Sequence, residues 1–141
     1  MNLSQLHKQT FVVQNRTSEC SNLADMLSEF IKSNDIPYEI NHDLRLVLEE
    51  ALVNIVNYAY PDDKDHSITI EFNNSADSIS ITFIDTGIAF NPVTDCSINI
   101  ETDDHCEGGM GIHIIKSLTD QQEYDRIERH NVFTVTKHYT K

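Results

Sequence analysis

Residues 48–61 read LEEALVNIVNYAYP. The apolar residues recur at helical spacing and Pro61 cannot continue a helix, so we predict a helix that Asn41 or Asp43 opens and that runs to about Tyr60. One face is apolar and is assigned to the core: Leu44, Leu48, Ala51, Leu52, Ile55 and Ala59. A polar stripe about 60° wide consists of Asp43, Glu50, Asn54 and Asn57. Since apolar residues flank this stripe, we interpret it as the floor of a cleft.

The chemistry of the stripe suits a metal-nucleotide complex. An asparagine oxygen is a hard, neutral ligand for Mg²⁺, so Asn54 is a candidate metal ligand. Glu50 lies one turn earlier and is a candidate acceptor for a proton from an attacking hydroxyl group or water. The alternative is structural: Asn54 and Asn57 bond neighbouring backbone, and Glu50 is solvated.

Two later stretches carry similar signals. FIDTGIAFNP, residues 83–92, ends a predicted strand with Asp85, whose carboxylate can accept a hydrogen bond from an exocyclic amine, and Gly87 lets the chain approach a flat ligand. EGGMGIHIIK, residues 107–116, leads three glycines into a helix whose N-terminus favours phosphate. The alternatives are an ordinary Asp-x-Gly turn and a flexible hinge. Neither the Walker A loop nor the dinucleotide fingerprint is present.

The rest of the chain predicts the element order β-α-α-β-β-loop-α-β-β. Residues 8–15 form a first strand, and residues 17–35 form a helix that Thr17 or Ser18 can cap. Alternating apolar residues predict one hairpin over residues 67–85 and another that closes the chain. This order indicates an α+β, two-layer sandwich, with helices on one face of a mixed, mostly antiparallel sheet.

Composition restricts the class of protein. The 141 residues suit a single domain, residues 1–141, and the net charge of −13 makes direct nucleic-acid binding unfavourable. No apolar run is long enough to span a membrane, and the three cysteines form no CxxC motif, so we expect a cytoplasmic protein. Cys96, His105 and Cys106 share one segment, but their spacing matches no standard zinc site, which favours ordinary thiols.

In this order, EEALVNIVNYAY, DTGIAF and EGGMGIHIIK resemble the N, G1 and G2 boxes of the GHKL ATPase/kinase superfamily. The closest resemblance is to the single-domain anti-sigma-factor serine/threonine kinases, over nearly the whole chain. It implies the Bergerat fold, with ATP between the helices and a lid at about residues 90–107. Related kinases often have His where this chain has Tyr58, and some have an Arg before the glycines, where this chain has none.

The resemblance also implies roles for individual residues. Glu50 corresponds to the general base, Asn54 to the Mg²⁺ ligand, and Asp85 to the residue that binds the adenine amine. The residues implied to contact the nucleotide are Asn54, Asn57, Tyr58, Asp85, Gly87, Ala89, Gly108, Gly109, Met110 and Gly111.

We therefore expect an ATP- and Mg²⁺-dependent serine/threonine kinase that acts as an anti-sigma factor and regulates transcription. The implied substrate is a Ser or Thr of a STAS-type anti-anti-sigma protein, the other implied partner is a sigma factor, and a homodimer is compatible with the family. The alternative is a nucleotide-gated protein-binding regulator with little catalysis. A histidine-kinase catalytic domain fits less well, since no dimerisation helix with a phosphoacceptor precedes residue 41.

Overall fold

The computed structural model describes residues 7–62, 64–92 and 109–140. Within them the chain forms five strands and three α-helices in the predicted order. In chain order these are β1 (His7–Gln14), α1 (Cys20–Ser33), α2 (Asn41–Tyr58), β2 (Ser67–Asn74), β3 (Ser78–Asp85), α3 (Gly109–Leu118), β4 (Gln121–Ile127) and β5 (His130–His138). Most of the predicted lid, from residue 93 onward, lies outside the described residues, as do Cys96, His105 and Cys106.

The strands form one sheet in the order β1-β2-β3-β5-β4. The predicted α+β sandwich is confirmed, but every neighbouring pair of described strands is antiparallel, where a mixed sheet was expected. The topology explains the difference. Two helices separate β1 from β2, so the chain reverses three times between these strands, and an odd number of reversals leaves them antiparallel. β4 follows β3 after one described helix, but β5 lies between them in the sheet.

The core lies between the helices and one face of the sheet. On β2 and β3 the buried residues alternate with half-buried ones, as the sequence predicted. The buried strand residues include Ile68, Ile70, Phe72, Ile79, Ile81 and Phe83, and all six predicted core residues of α2 pack into the same cluster. The polar stripe of α2 is therefore held at the edge of a rigid core.

The predicted cap of α1 by Thr17 or Ser18 is wrong, whereas α2 begins at Asn41, as predicted. A short 3-10 turn, Thr17–Glu19, precedes α1, and neither it nor α1 has a side-chain cap. Another turn, Tyr38–Ile40, leads into α2, so Ile40 occupies the cap position and Asn41 is the first helical residue. The buried Asn41 side chain instead accepts a 2.9 Å hydrogen bond from the Ser28 hydroxyl and joins α2 to α1.

The closing hairpin turns at Glu128 and Arg129, whose φ angles of 47° and 72° lie in the left-handed region. A two-residue turn of this kind suits antiparallel strands, although both residues are unusual there. It places Asn131 as the second residue of β5. None of the helices in the described ranges is both long and apolar enough to cross a membrane.

Candidate functional site

The polar stripe of α2 spans a gradient of burial. Asn54 is only 1% exposed, Glu50 is half-buried and Asn57 is exposed. Asn54 Nδ2 is buried without a hydrogen-bond partner among the described residues. An unsatisfied buried amide costs about 1 to 3 kcal/mol. The unpaired group marks Asn54 as a residue whose polarity the described part of the fold does not explain.

Glu50 lies against the glycine-rich segment. A Cβ atom added to Gly111 would overlap Glu50 Oε1 and would lie 3.3 Å from Glu50 Cδ. Only a glycine fits here without displacing the carboxylate. The packing of α3 on α2 therefore brings the third glycine of EGGMG to the predicted base, two positions that are far apart in the sequence.

The electrostatic setting of Glu50 favours its protonated form. Partial burial raises the pKa of this carboxyl group above its usual value, and the neighbouring Glu49 raises it further. A carboxylate with a raised pKa binds a proton more readily than a fully solvated one. The same two glutamates and burial raise the pKa of the Cys20 thiol to about 11.

Of the other predicted phosphate contacts, Gly109 and Met110 form the first two residues of α3. Gly108 lies outside the described residues. Among residues 7–62, 64–92 and 109–140, no group of three or more His, Cys, Asp or Glu residues is arranged to hold a metal ion. Among the described residues, Asn54 is the predicted Mg²⁺ ligand whose amide oxygen could hold the ion.

Asp85 ends β3 as a buried carboxyl group that is 3% exposed. Its Oδ1 atom accepts a 2.8 Å hydrogen bond from the Gly87 amide and another of 2.8 Å from Asn131 Nδ2. Burial raises the pKa of Asp85, whereas these two bonds and the nearby Arg126 and His130 oppose that rise. The arrangement holds a carboxyl group inside the protein with two donors already on one oxygen.

Gly87 is explained by packing. A Cβ atom there would overlap the Ala59 carbonyl oxygen and lie 2.6 Å from Ala59 Cβ. The next residue, Ile88, donates a 2.8 Å hydrogen bond from its amide to that same carbonyl. Gly87 thus lets the loop after Asp85 pack on the end of α2, and this packing alone requires a glycine, independently of any ligand.

Tyr60 forms a second link between the end of α2 and the loop after Asp85, a role that the sequence did not indicate. Its hydroxyl accepts a 2.8 Å hydrogen bond from the Thr86 amide and lies 3.2 Å from Thr86 Oγ1. The Tyr60 ring stacks on His66 with centroids 4.1 Å apart, and Asp62 bonds the His66 Nε2 atom at 2.8 Å. The loop after Asp85 is therefore fixed at both Thr86 and Ile88 to the chain that follows α2.

Asn131 is the functional candidate that sequence reasoning missed. It is 2% exposed, and its position faces inward with Phe133 and Val135 on β5. A polar residue at an inward position of an alternating strand was the available signal.

Near the predicted lid, Tyr58 stacks on Phe90 with centroids 5.4 Å apart, while Ala89 is exposed.

A family model described as a histidine kinase-like ATPase domain matches residues 13–137. The chain belongs to this family. The GHKL resemblance carried by the three motifs is thereby confirmed, and the five-stranded sheet with three helices is consistent with the Bergerat ATPase fold. GHKL domains bind ATP, typically with Mg²⁺.

Curated relatives of this GHKL domain include serine-protein kinases RsbW. The protein from Bacillus subtilis (strain 168) is 28% identical over 107 residues, which cover 70% of this chain and 63% of the relative. Those from Bacillus mycoides (strain KBAB4) and Oceanobacillus iheyensis are 33% and 34% identical, each over 59% of this chain. The matched regions cover 55% and 56% of those two relatives, so this chain spans a little over half to under two thirds of the curated relatives' lengths.

The residues of this GHKL domain fit a magnesium nucleotide. Asn54 offers an amide oxygen, a hard ligand type for Mg²⁺, on a side chain whose nitrogen is unsatisfied among the described residues. Gly109 and Gly111 lie in the first turn of α3, where backbone amides and the helix dipole favour phosphate. The donor set is therefore compatible with the ligand that the family binds.

Proposed function

We propose that this protein is an ATP-dependent serine/threonine protein kinase of the anti-sigma type. The observation that carries the proposal is the contact between Gly111 and the Glu50 carboxylate, which lies one turn before the buried Asn54 amide on α2. A candidate base, a phosphate-binding turn and a metal-ligand type converge there. Phosphoryl transfer requires mainly such positioning and neutralisation of charge.

Each site residue has a role in this proposal. Asn54 holds Mg²⁺, and the amides of Gly108, Gly109, Met110 and Gly111 hold the phosphates. Asp85 accepts a hydrogen bond from the adenine amine, with Gly87 and Ala89 along the base. Asn57 and Tyr58 line the phosphate side of the cleft. Magnesium ATP, when bound, supplies the phosphoryl group and the countercharge.

Glu50 would act on the protein substrate. The substrate hydroxyl oxygen bonds to the terminal phosphorus, the bond from that phosphorus to the ADP oxygen breaks, and Glu50 takes the hydroxyl proton. The raised pKa of Glu50 supports this role because a stronger base accepts the proton more readily.

The partners follow from the family resemblance. Three of the relatives named above are serine-protein kinases, and they support a Ser or Thr as the acceptor. We propose a STAS-type antagonist as substrate, a sigma factor as the sequestered partner, and a homodimer as a compatible assembly. The net charge of −13 supports protein rather than nucleic-acid partners.

A second candidate function is a nucleotide-gated regulator with little catalysis. It is favoured by Tyr58, which stacks on Phe90 where related kinases often have His, and by the lack of an Arg in DDHCEGG. Such a protein would change its partner affinity when ATP binds and would transfer no phosphate.

A matched pair of variants tests the kinase. Glu50→Gln and Glu49→Gln make the same chemical change on adjacent residues, but Glu49 is exposed and does not face Gly111. With radiolabelled ATP, Mg²⁺ and a STAS-type protein, we expect Glu50→Gln to bind ATP and lose transfer by about 100-fold or more, while Glu49→Gln retains it.

The outcomes separate the two candidates. Equal transfer by both variants would remove Glu50 from the base role. ATP binding by the unaltered protein without transfer to any STAS-type protein, together with an ATP-dependent complex, would support the nucleotide-gated regulator instead.

A further inference from the structure

Asn131 is the centre of a hydrogen-bond network around Asp85. Its Nδ2 atom donates to Asp85 Oδ1 and to the Ile88 carbonyl, each at 2.8 Å. Its Oδ1 atom accepts from the Phe90 amide at 3.3 Å and from the Tyr124 hydroxyl. Donors surround one end of the amide and acceptors the other, so only one orientation of the Asn131 side chain satisfies them.

Arg126, on the neighbouring strand β4, completes the network. Its Nη1 atom donates to Asn131 Oδ1 at 3.1 Å and to the Gly87 carbonyl at 2.8 Å. Together the two side chains bond backbone groups of Gly87, Ile88 and Phe90. The loop after Asp85 is thus held from the β4–β5 side as well as from the end of α2.

The network also controls the charge of Asp85. A carboxyl group this buried is driven towards its neutral form, and burial is the largest influence on its pKa. The opposing influences are the Asn131 and Gly87 donors and the positive groups Arg126 and His130. Tyr60, another ionisable group near Asp85, donates no bond to it among the described residues, and burial raises the pKa of its own hydroxyl.

We propose that Asn131, supported by Arg126, is a positioning residue that presents Asp85 as a hydrogen-bond acceptor and thereby makes the site select a purine with an amino group at C6. This inference rests on the proposed nucleotide site. Both described bonds fall on Asp85 Oδ1, which leaves Oδ2 to meet the base. An ionised carboxylate accepts from an amine and repels a carbonyl oxygen, whereas a protonated carboxyl group can donate to that carbonyl.

The test compares Asn131→Ala and Arg126→Gln with a matched control, Thr134→Val. Thr134 lies on the same strand but bonds Thr82, outside the network. The pKa of Asp85 is measured in ligand-free protein by titration of its carboxyl ¹³C signal. Dissociation constants for ATP and for inosine triphosphate, which carries a carbonyl at C6, are measured across pH.

We expect the Asp85 pKa to rise by about one pH unit or more in Asn131→Ala, because a donor to the charged form is lost. The preference for ATP over inosine triphosphate should be about tenfold or more in the unaltered protein and should fall several-fold in this variant, most strongly at low pH. Arg126→Gln, on an exposed strand, should show smaller changes in the same direction, and Thr134→Val none.

The two measurements distinguish the possible failures. An unchanged Asp85 pKa in Asn131→Ala would overturn the inference whatever the nucleotide results. Tight ATP binding with an unchanged nucleotide preference would overturn it alone and leave the proposed function standing. Failure of the unaltered protein to bind either nucleotide would overturn the proposed function and the selectivity with it.

Discussion

At the scale of single residues, the three buried asparagines of the described chain divide into two that the fold satisfies and one that it leaves unsatisfied. Asn41 accepts a hydrogen bond from Ser28, and Asn131 bonds through both ends of its amide. Asn54 is as buried as either, yet its Nδ2 atom has no partner in the described part of the chain. A polar group kept at such a cost is typical of functional positions.

This contrast predicts opposite effects of one substitution. Asn54→Leu keeps the branched shape of the side chain and removes the unsatisfied group, so the free energy of unfolding should stay the same or rise by up to about 1 kcal/mol. Asn41→Leu should lower it by about 1 kcal/mol, because the Ser28 hydroxyl loses the nearer of its two acceptors, Asn41 Oδ1, and keeps only the Ala24 carbonyl. Urea denaturation measures both, and calorimetry should show that only Asn54→Leu abolishes Mg²⁺-dependent ATP binding. A large loss of stability in Asn54→Leu would contradict the prediction.

The raised pKa of Glu50 predicts how the rate of phosphoryl transfer depends on pH. A proton on its carboxyl group blocks the base, and its raised pKa places the acid limb of the transfer rate above about 4.3, the ordinary value for glutamate. Since the charge of Glu49 contributes to that rise, Glu49→Gln should move the limb to lower pH while leaving the rate at neutral pH unchanged. Single-turnover rates between pH 4 and 8 would show the shift. If the acid limb does not move in Glu49→Gln, the limb does not report the titration of Glu50.

At the scale of elements, the end of α2 and the loop after β3 behave as one unit. The Ala59 carbonyl accepts from the Ile88 amide, the Tyr60 hydroxyl accepts from the Thr86 amide, and Gly87 leaves room for this close approach. The two segments that resemble the N and G1 boxes are therefore joined before any ligand binds.

Gly87→Ala should break this junction. The added methyl group would overlap Ala59 backbone that cannot move without unwinding the end of α2, so we expect a loss of about 1 to 3 kcal/mol in the free energy of unfolding. Denaturant titration would measure it. Tyr60→Phe removes one hydroxyl without adding volume and should cost less, about 1 kcal/mol. Near-native stability of Gly87→Ala would show that the loop does not depend on this contact.

Sequence reasoning succeeded for elements whose signal is periodic and failed where geometry is local. The alternation of Ile68, Ile70 and Phe72 predicted β2 because burial on one face requires it. The cap of α1 was wrong because the 3-10 turn Thr17–Glu19 leads into this helix without a capping side chain, a choice that composition does not reveal. Asn131 was missed because its partners Asp85 and Ile88 lie more than 40 residues away in the sequence.

At the scale of the whole molecule, the candidate site draws on distant parts of the chain. Glu50 and Asn54 come from α2, Asp85 from the end of β3, Gly111 from α3 and Asn131 from β5. The motifs predicted which residue types would meet, but their meeting depends on the order β1-β2-β3-β5-β4, which no single motif contains. The assignment of these residues to one nucleotide stays a prediction.

A ligand that spans these elements should stabilise all of them together. Magnesium ATP at about 100 times its dissociation constant adds about 2.7 kcal/mol, which corresponds to roughly 5 to 10 °C for a domain of this size. Scanning calorimetry measures the shift, and hydrogen exchange should show slower exchange in α2, the loop after β3 and β5 at once. Protection confined to α2 would contradict a shared site.

The bond from Asn131 to Asp85 has a consequence for protein synthesis. A nascent chain whose α2 and β3 have left the ribosome still lacks the strand that holds the loop after Asp85, since β5 follows some 45 residues later. At about 5 to 20 residues per second, this interval lasts several seconds. During that time the growing polypeptide has the N and G1 boxes but lacks the contact of Asn131 with Asp85. We therefore expect ribosome-bound chains that end before β5 to retain no nucleotide.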